Sequence, residues 1–470
     1  MTSEFRFHTT YTHQDPALFS FVTPAKMLHP KPLLFNTNLQ KKYALPDESY
    51  LITMLRRGEY VEPPFAQAYA GHQFGNFTIL GDGRAALLGE HIDPRGIRHD
   101  IQLKGSGPTP YSRGGDGKAT TSAMLREYIY SECLAHLGVR SSRSLAVIET
   151  DTPVYRQKRE TGAVLIRSMH SHIRIGTFQY RAATGTEQEL RQFTDYVIDR
   201  LYPELTERKD SYLLFFEKVM HALMDMVIDW YRIGFIHGVM NTDNMSISGE
   251  SFDYGPCAFM NAYDPQTVFS SIDRHGRYSF KNQRQILLWN LARFAETIAP
   301  LVGTHPTEGV HRLTKVLQSF NAKFTKKYFH MMQEKLGIPP EIDGRKEVED
   351  ILQWLEYSAA DYTNTFLELR RPGTFHDSIY GTTEFQRIRR TIAKIGLQEE
   401  RMDRANPTYI PRNYLVEEAL DQYTHEGSLA KVHRLLQVVQ TPWRKEPAYP
   451  AYQTPPDPRY DRRYTTFCNT

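Results

Sequence analysis

GFIHGVMNTDNMSISGESFDYGP, residues 234–256, is the stretch on which the reading of this chain turns. His237 opens it, Asn244 follows seven residues later, and Asp253-Tyr254-Gly255 comes nine residues after that. An amide and a carboxylate joined by a segment short enough for a tight strand-turn-strand can hold a divalent cation on phosphate oxygens. Two residues after His237 stands Val239, a side chain that neither accepts a proton nor orients a hydroxyl. A carboxylate does stand one residue before the amide, so Asp243 is free to serve as a base.

The same order of residues marks the catalytic loop of kinase-like enzymes, His-x-Asp-x-x-x-x-Asn followed by Asp-Phe-Gly. Here valine replaces the catalytic Asp and tyrosine the Phe, so kinase chemistry in its usual form is disabled. Upstream of the loop, short apolar runs alternate with glycine turns. FTIL (77–80), AALLGE (85–90), DIQLKG (100–105), SLAVIET (144–150) and AVLIRSM (163–169) read as strands. AMLREYIYSECLAHLG (123–138) reads as a helix capped by Thr120 or Thr121 and stopped by Gly138. From about residue 186 the apolar period becomes helical, most clearly in YLLFFEKVMHALMDMVIDWYRIG (212–234), and again at 286–301, 309–336 and 346–368. The expected architecture is α+β: a two-lobed, protein-kinase-like fold with a sheet-bearing N-lobe and a mostly helical C-lobe carrying helical and C-terminal extensions. Its divisions are an N-terminal extension 1–65, a nucleotide-binding N-lobe 66–183, a helical C-lobe 184–441 with the catalytic and metal-binding loops, and a Pro-rich arm 442–470.

Several residues in this frame carry chemistry. Gly81, Gly83 and Arg84 lie in LGDGR, where glycines let backbone amides approach a phosphate; an ordinary hairpin turn is the plainer reading. Lys104 ends a strand and Glu127 sits mid-helix twenty-three residues later, a spacing that allows a buried ion pair as well as two solvated side chains. Between them PYSRGGDGKAT (110–120) offers a second phosphate cradle, with Asp116 and Gly117 at its tip. Arg167 and Arg174 converge on one anion if the chain bends between Ser168 and Ser171; otherwise they are surface arginines.

Composition excludes other classes. The chain has 470 residues, 40% hydrophobic and 24% charged, so it can bury a sizeable core. A net charge of +3 argues against a bulk nucleic-acid binder, and three cysteines cannot build a disulfide scaffold. No apolar run approaches the ~18 residues of a membrane span, and the start MTSEFRF carries no secretory signal. The expectation is a cytoplasmic monomer without nucleic-acid or membrane partners.

Long strings of the chain resemble selenoprotein O, a family of protein-adenylylating pseudokinases. They are PPFAQAYAGHQFGNF, LGDGR, QLKGSGPTPYSRGGDGK, the LREY helix, the 234–256 stretch and GRYSFKNQ. The ending Cys468-Asn469-Thr470 fits as well, since members often carry cysteine or selenocysteine third from the C-terminus. The resemblance implies an enzyme that binds ATP flipped relative to kinases, so that the α-phosphate faces the acceptor. Such an enzyme transfers AMP to Ser, Thr or Tyr hydroxyls of proteins and releases pyrophosphate; UMP transfer is also associated with the family. Position by position, it implies nucleotide contacts at Gly81, Gly83, Arg84, Lys104, Asp116, Gly117, Arg167, Arg174 and Asp253. Glu127 would pair with Lys104, Asn244 and Asp253 would hold Mg²⁺ or Mn²⁺, and Asp243 would be the base. Cys468 could close a regulatory disulfide with Cys257 or stay a free thiol. An atypical kinase acting through Asp243 and a non-catalytic nucleotide-binding scaffold remain the alternatives.

Overall fold

The computed structural model describes residues 4–73, 75–156, 159–375, 377–444 and 448–467. Eight strands form the main sheet: β1 (Phe19–Phe21), β2 (Lys31–Phe35), β3 (Phe65–Gln73), β4 (Asn76–Gly81), β5 (Ala85–Ile92), β6 (Arg98–Lys104), β7 (Arg143–Tyr155) and β8 (Arg159–Met169). Their order is β1-β3-β5-β6-β8-β7-β2, with β4 hydrogen-bonded to β3 outside that path. The five strands expected from the sequence fall within β4 to β8. β1 and β2, both from the first 65 residues, close the sheet at its two ends. They are short and Pro-flanked, and alternation over so few residues leaves no readable period.

Period-two alternation decides what each face of the sheet carries. Ile101 and Leu103 of β6 join Val164 and Ile166 of β8 in a core shared with Leu39 of α1 (Thr37–Tyr43) and Leu51 and Leu55 of α2 (Glu48–Arg57). The alternate residues Gln102 and Lys104 therefore face the other way, together with Arg167, which pairs in register with Gln102. That second face is covered by α3 (Thr121–His136), which packs on β7 and β8. Thr120 caps α3 by accepting the Ala123 N–H at 3.3 Å.

The remainder is mostly helical: α4 (Ile175–Thr184), α5 (Glu187–Leu201), α6 (Ser211–Ile233), α7 (Gln283–Val302), α8 (Pro306–Leu336), α9 (Arg345–Ser358), α10 (Tyr362–Arg370), α11 (Thr383–Lys394), α12 (Glu399–Ala405), α13 (Asn413–Glu426) and α14 (Ala430–Val439). Buried Phe215, Phe216, Val219, Met220, Leu223 and Val227 give α6 its three-and-four stripe. Gly234 ends it at φ +73, the left-handed conformation that costs glycine nothing. The stretch read as one helix over 346–368 is two, α9 and α10, because Ala359 takes φ +51 between them. After α6 the chain forms the two-residue strands β9 (Phe235–Ile236) and β10 (Ala258–Phe259), which pair antiparallel and bracket the loop that opened the sequence reading. The architecture is thus α+β, with a sheet-rich N-terminal lobe and a helical C-terminal lobe in the kinase-like order.

No helix among the described residues is long and apolar enough to cross a membrane. The segment 448–467 contains a one-turn helix, Pro458–Asp461, and is bound to the body: Asn261 Nδ2 donates to Asp461 Oδ1 at 2.7 Å, and Thr466 N–H to Phe269 O at 2.7 Å.

Candidate active site

Three buried side chains, Lys104, Glu127 and Arg167, meet the partly exposed Asp253 where the N-lobe sheet faces the 234–256 loop. Lys104 Nζ lies 2.6 Å from Glu127 Oε2 on α3 and also donates to Asp253 Oδ1. Arg167 Nη1 lies 2.7 Å from Glu127 Oε1 and 2.7 Å from Asp253 Oδ1. Gln102 fixes the other side of that guanidinium, its Oε1 accepting from Nε at 2.8 Å and Nη2 at 2.6 Å. Two cations thus share two carboxylates, with Lys104 only 6% exposed and Asp253, at 26%, the member that opens towards solvent. Burial opposes ionisation of Asp253, but Arg167 and Lys104 outweigh it and hold its carboxyl well below the usual range.

Asp253 reaches this position from φ +64, a left-handed conformation uncommon outside glycine. Such a residue costs roughly 1 kcal/mol or more and persists only where its surroundings enforce it. Its second carboxylate oxygen makes no hydrogen bond among the described residues. Asn244 ends the 3-10 turn Thr242–Asn244 and donates its Nδ2 to Val239 O at 3.0 Å, leaving its amide oxygen to accept. No group of three His, Cys, Asp or Glu forms a metal cluster among the described residues. One carboxylate and one amide oxygen nevertheless fit Mg²⁺, which keeps most of its coordination sphere for water and nucleotide phosphates.

Asp243 stands beside this cluster under the β3–β4 hairpin. Among the described residues its buried Oδ1 has no hydrogen-bond partner, and a Cβ on Gly71 would run into that oxygen. Burial raises its carboxyl to about 6, partly offset by Arg174. Arg174 occupies the N-cap position of α4, and its guanidinium lies 4.0 Å from the Tyr69 ring and 5.0 Å from the Phe252 ring. Its Nη1 donates to Asp243 O at 3.1 Å and its Nε to His172 O at 3.0 Å, while Nη2, 3.6 Å from Asp82 Oδ1, makes no hydrogen bond among the described residues. The bend after β8 brings the two arginines around one anion, and both stabilise the Asp253 carboxylate.

The glycine-rich segments behave differently from a bare turn. β4 does not pair with β5, so Gly81 to Arg84 carry the chain from the hairpin back to the sheet. The 109–112 segment packs on that crossing: a Cβ on Gly83 would lie 2.9 Å from Tyr111 O, and Thr109 Oγ1 donates to Asp82 O at 2.7 Å. Arg84 O accepts the Gly105 N–H at 2.7 Å, tying the two segments together. Gly117 has φ +65 and no room for a Cβ against the Gly107 backbone. Asp116 is held by Arg156 at 2.9 Å rather than by the Lys104 cluster, and this pairing lowers its carboxyl to about 2.

Cys468 lies outside the described residues. Cys257 is a buried free thiol pushed up to about 12 by burial, and Cys133 is likewise buried.

Sequence reasoning missed a further layer. Asp82 is buried behind the glycines, accepting the Gln67 N–H at 3.1 Å. Gln102 was legible in principle, being two residues before Lys104 on the same strand face. Asp100 fixes the bend before Arg174: its Oδ2 accepts the His172 N–H at 2.6 Å, and its Oδ1 pairs with Arg200 of α5. Burial lowers the fully buried His172 to about 4, so it is neutral at pH 7. A histidine depressed in the folded state leaves stability intact above its unfolded pKa of about 6.5 and withdraws it as pH falls towards the folded value. That difference corresponds to roughly 3 kcal/mol. Calorimetric melting between pH 7 and 4 therefore shows a falling Tm that flattens in His172→Gln; an unchanged slope in the variant removes His172 as the cause.

The family model described as protein adenylyltransferase SelO matches residues 2–440. A protein nucleotidyltransferase YdiU of Alkaliphilus metalliredigens is 44% identical over 477 residues, covering 98% of this chain and 97% of that one. The protein nucleotidyltransferase YdiU of Geobacillus kaustophilus is 43% identical, covering 100% of both chains. Among solved structures, ROP2 from Toxoplasma gondii, a virulence factor with a protein-kinase fold and no enzymatic activity, overlaps 70% of this chain and 86% of its own at 11% identity and a TM-score of 0.26.

Proposed function

The chain belongs to the SelO family of protein adenylyltransferases, and from that premise we propose that it transfers AMP from ATP to Ser, Thr or Tyr hydroxyls of proteins, releasing pyrophosphate, with UTP as a second donor. The observation that carries this reading is the buried Lys104–Glu127–Arg167–Asp253 cluster beside Asp243, with Val239 in the place of a kinase base.

In the proposed reaction the acceptor hydroxyl oxygen bonds to the α-phosphorus and the bond from that phosphorus to the pyrophosphate oxygen breaks. Lys104 and Arg167 supply positive charge to the leaving pyrophosphate from a low-dielectric setting. Asp243, whose carbonyl is fixed by Arg174, takes the hydroxyl proton on its carboxylate. Asp253 and Asn244 would hold Mg²⁺ or Mn²⁺, which when bound neutralises phosphate charge. Gly81, Gly83, Arg84, Asp116 and Gly117 belong to the proposed nucleotide contacts, and the enzyme is read as a cytoplasmic monomer acting on protein acceptors.

The test is parallel incubation of the protein and a candidate acceptor with α-labelled or γ-labelled ATP. Only the α label is expected on protein, and fragmentation mass spectrometry places the adduct on a hydroxyl side chain. Label from the γ position alone makes the chain an atypical kinase. ATP binding with no transfer to any acceptor favours the scaffold.

A further inference from the structure

Arg126 precedes Glu127 on α3, yet its bonds go to a different place. Its Nε donates to Gly255 O at 3.2 Å and its Nη2 to Cys257 O at 2.7 Å. Its Nη1 lies 2.6 Å from Glu417 Oε1 on α13, and its Nη2 also donates to Tyr464 OH at 3.2 Å. The guanidinium lies over the Tyr130 ring, 4.8 Å from its centroid. Tyr464 OH in turn donates to Glu417 Oε1 at 2.7 Å, and Thr466 Oγ1 donates to the remaining carbonyl, Pro256 O, at 2.7 Å.

Three successive carbonyls, those of residues 255, 256 and 257, are therefore held by side chains from outside their own segment. They follow directly on Asp253-Tyr254, and Asp253 is the non-glycine residue at φ +64 whose carboxylate lies on Lys104 and Arg167. A rigid planar fork can fix two carbonyls and a carboxylate at once, which an ammonium group cannot do with the same geometry. Gly238 also packs against this segment, so closely that a Cβ there would meet Pro256 O at 2.6 Å.

We propose that Arg126 is the positioning residue for Asp253: together with Tyr464 and Thr466 of the C-terminal segment, it clamps residues 255–257 and so keeps the Asp253 carboxylate on the nucleotide site. Arg126 touches neither nucleotide nor acceptor, and the proposal rests on the nucleotide-site reading above. It also gives the C-terminal segment a place in the site frame that its proline-rich sequence does not suggest.

The experiment is a double-mutant cycle on MgATP affinity, measured by calorimetry on the full chain with Tm followed in parallel. Arg126→Lys keeps the charge and removes the fork; about tenfold weaker MgATP binding is expected, equivalent to about 1.4 kcal/mol. In an Asp253→Asn background the same substitution is expected to change affinity less than about twofold, because the carboxylate it positions is gone. An equal loss in both backgrounds means that Arg126 only supports the fold and overturns the proposal. Should Arg126→Lys fail to give a cooperative melt, Tyr464→Phe combined with Thr466→Val is taken through the same cycle with the same two outcomes. A wild-type chain that transfers the α label while the cycle is additive loses this inference alone. A wild-type chain that neither binds MgATP nor transfers label loses the nucleotide-site reading and the positioning role with it.

Discussion

Asp253→Ala is expected to lower transfer of the α label to protein by roughly 10³-fold or more while the chain still folds. The two parts of this expectation have separate causes. For activity, the substitution removes the carboxylate that Lys104 and Arg167 share and the proposed metal ligand in a single step. For stability, Glu127 still contacts both cations, at 2.6 Å and 2.7 Å, so neither is left buried without a partner. The backbone conformation complicates the reading, because alanine at φ +64 is less comfortable than aspartate. Asp253→Asn separates the effects: asparagine tolerates the left-handed region and is nearly isosteric, but cannot bear charge. Both variants should be inactive, with the asparagine variant melting closer to wild type. Wild-type transfer by Asp253→Asn would dissociate the carboxylate from the chemistry and remove the central residue of the proposed site.

How much of this site was legible depended on whether the partners were local in pattern. Lys104 and Glu127 were readable because a strand end and a mid-helix position are each set by a short period, and one crossing joins them. The convergence of Arg167 and Arg174 required only a bend, which the chain supplies after β8. Gly81 and Gly83 suggested a phosphate turn or a hairpin; the hairpin is absent because β4 does not pair with β5, and Tyr111 from a separate glycine-rich segment packs where side chains at the two glycines would lie. Arg126 was invisible for a related reason: its acceptors are backbone carbonyls about 130 positions away and a tyrosine near the C-terminus, and no residue type announces a carbonyl. The break at Ala359 had no signal either, since an alanine held at φ +51 between α9 and α10 looks like a good helix former until tertiary packing overrides it. Sheet edges were lost where strands are three to five residues long, as in β1 and β2.

Lys104→Met should carry the larger stability cost of the two site variants. Lys104 is 6% exposed, and its ammonium bridges Glu127 and Asp253. With methionine there, Glu127 and Asp253 both lean on Arg167, Asp253 has further support from Arg174, and Glu127 is left buried with too little positive charge. Breaking a buried pair from one side typically costs about 3–5 kcal/mol. Activity should fall roughly 10²- to 10³-fold, because a preorganised cation for the pyrophosphate is gone. A second substitution distinguishes the two losses. Glu127→Gln removes one of the surplus negative charges while its amide can still accept from Arg167. The double variant Lys104→Met/Glu127→Gln should therefore melt above the single Lys104→Met variant, whereas transfer should remain as low as in the single variant. Recovery of Tm without recovery of transfer locates the catalytic contribution on the lysine itself rather than on the balance of buried charge. Recovery of both would mean that Lys104 serves only to neutralise Glu127, and Arg167 would then have to carry the phosphate alone.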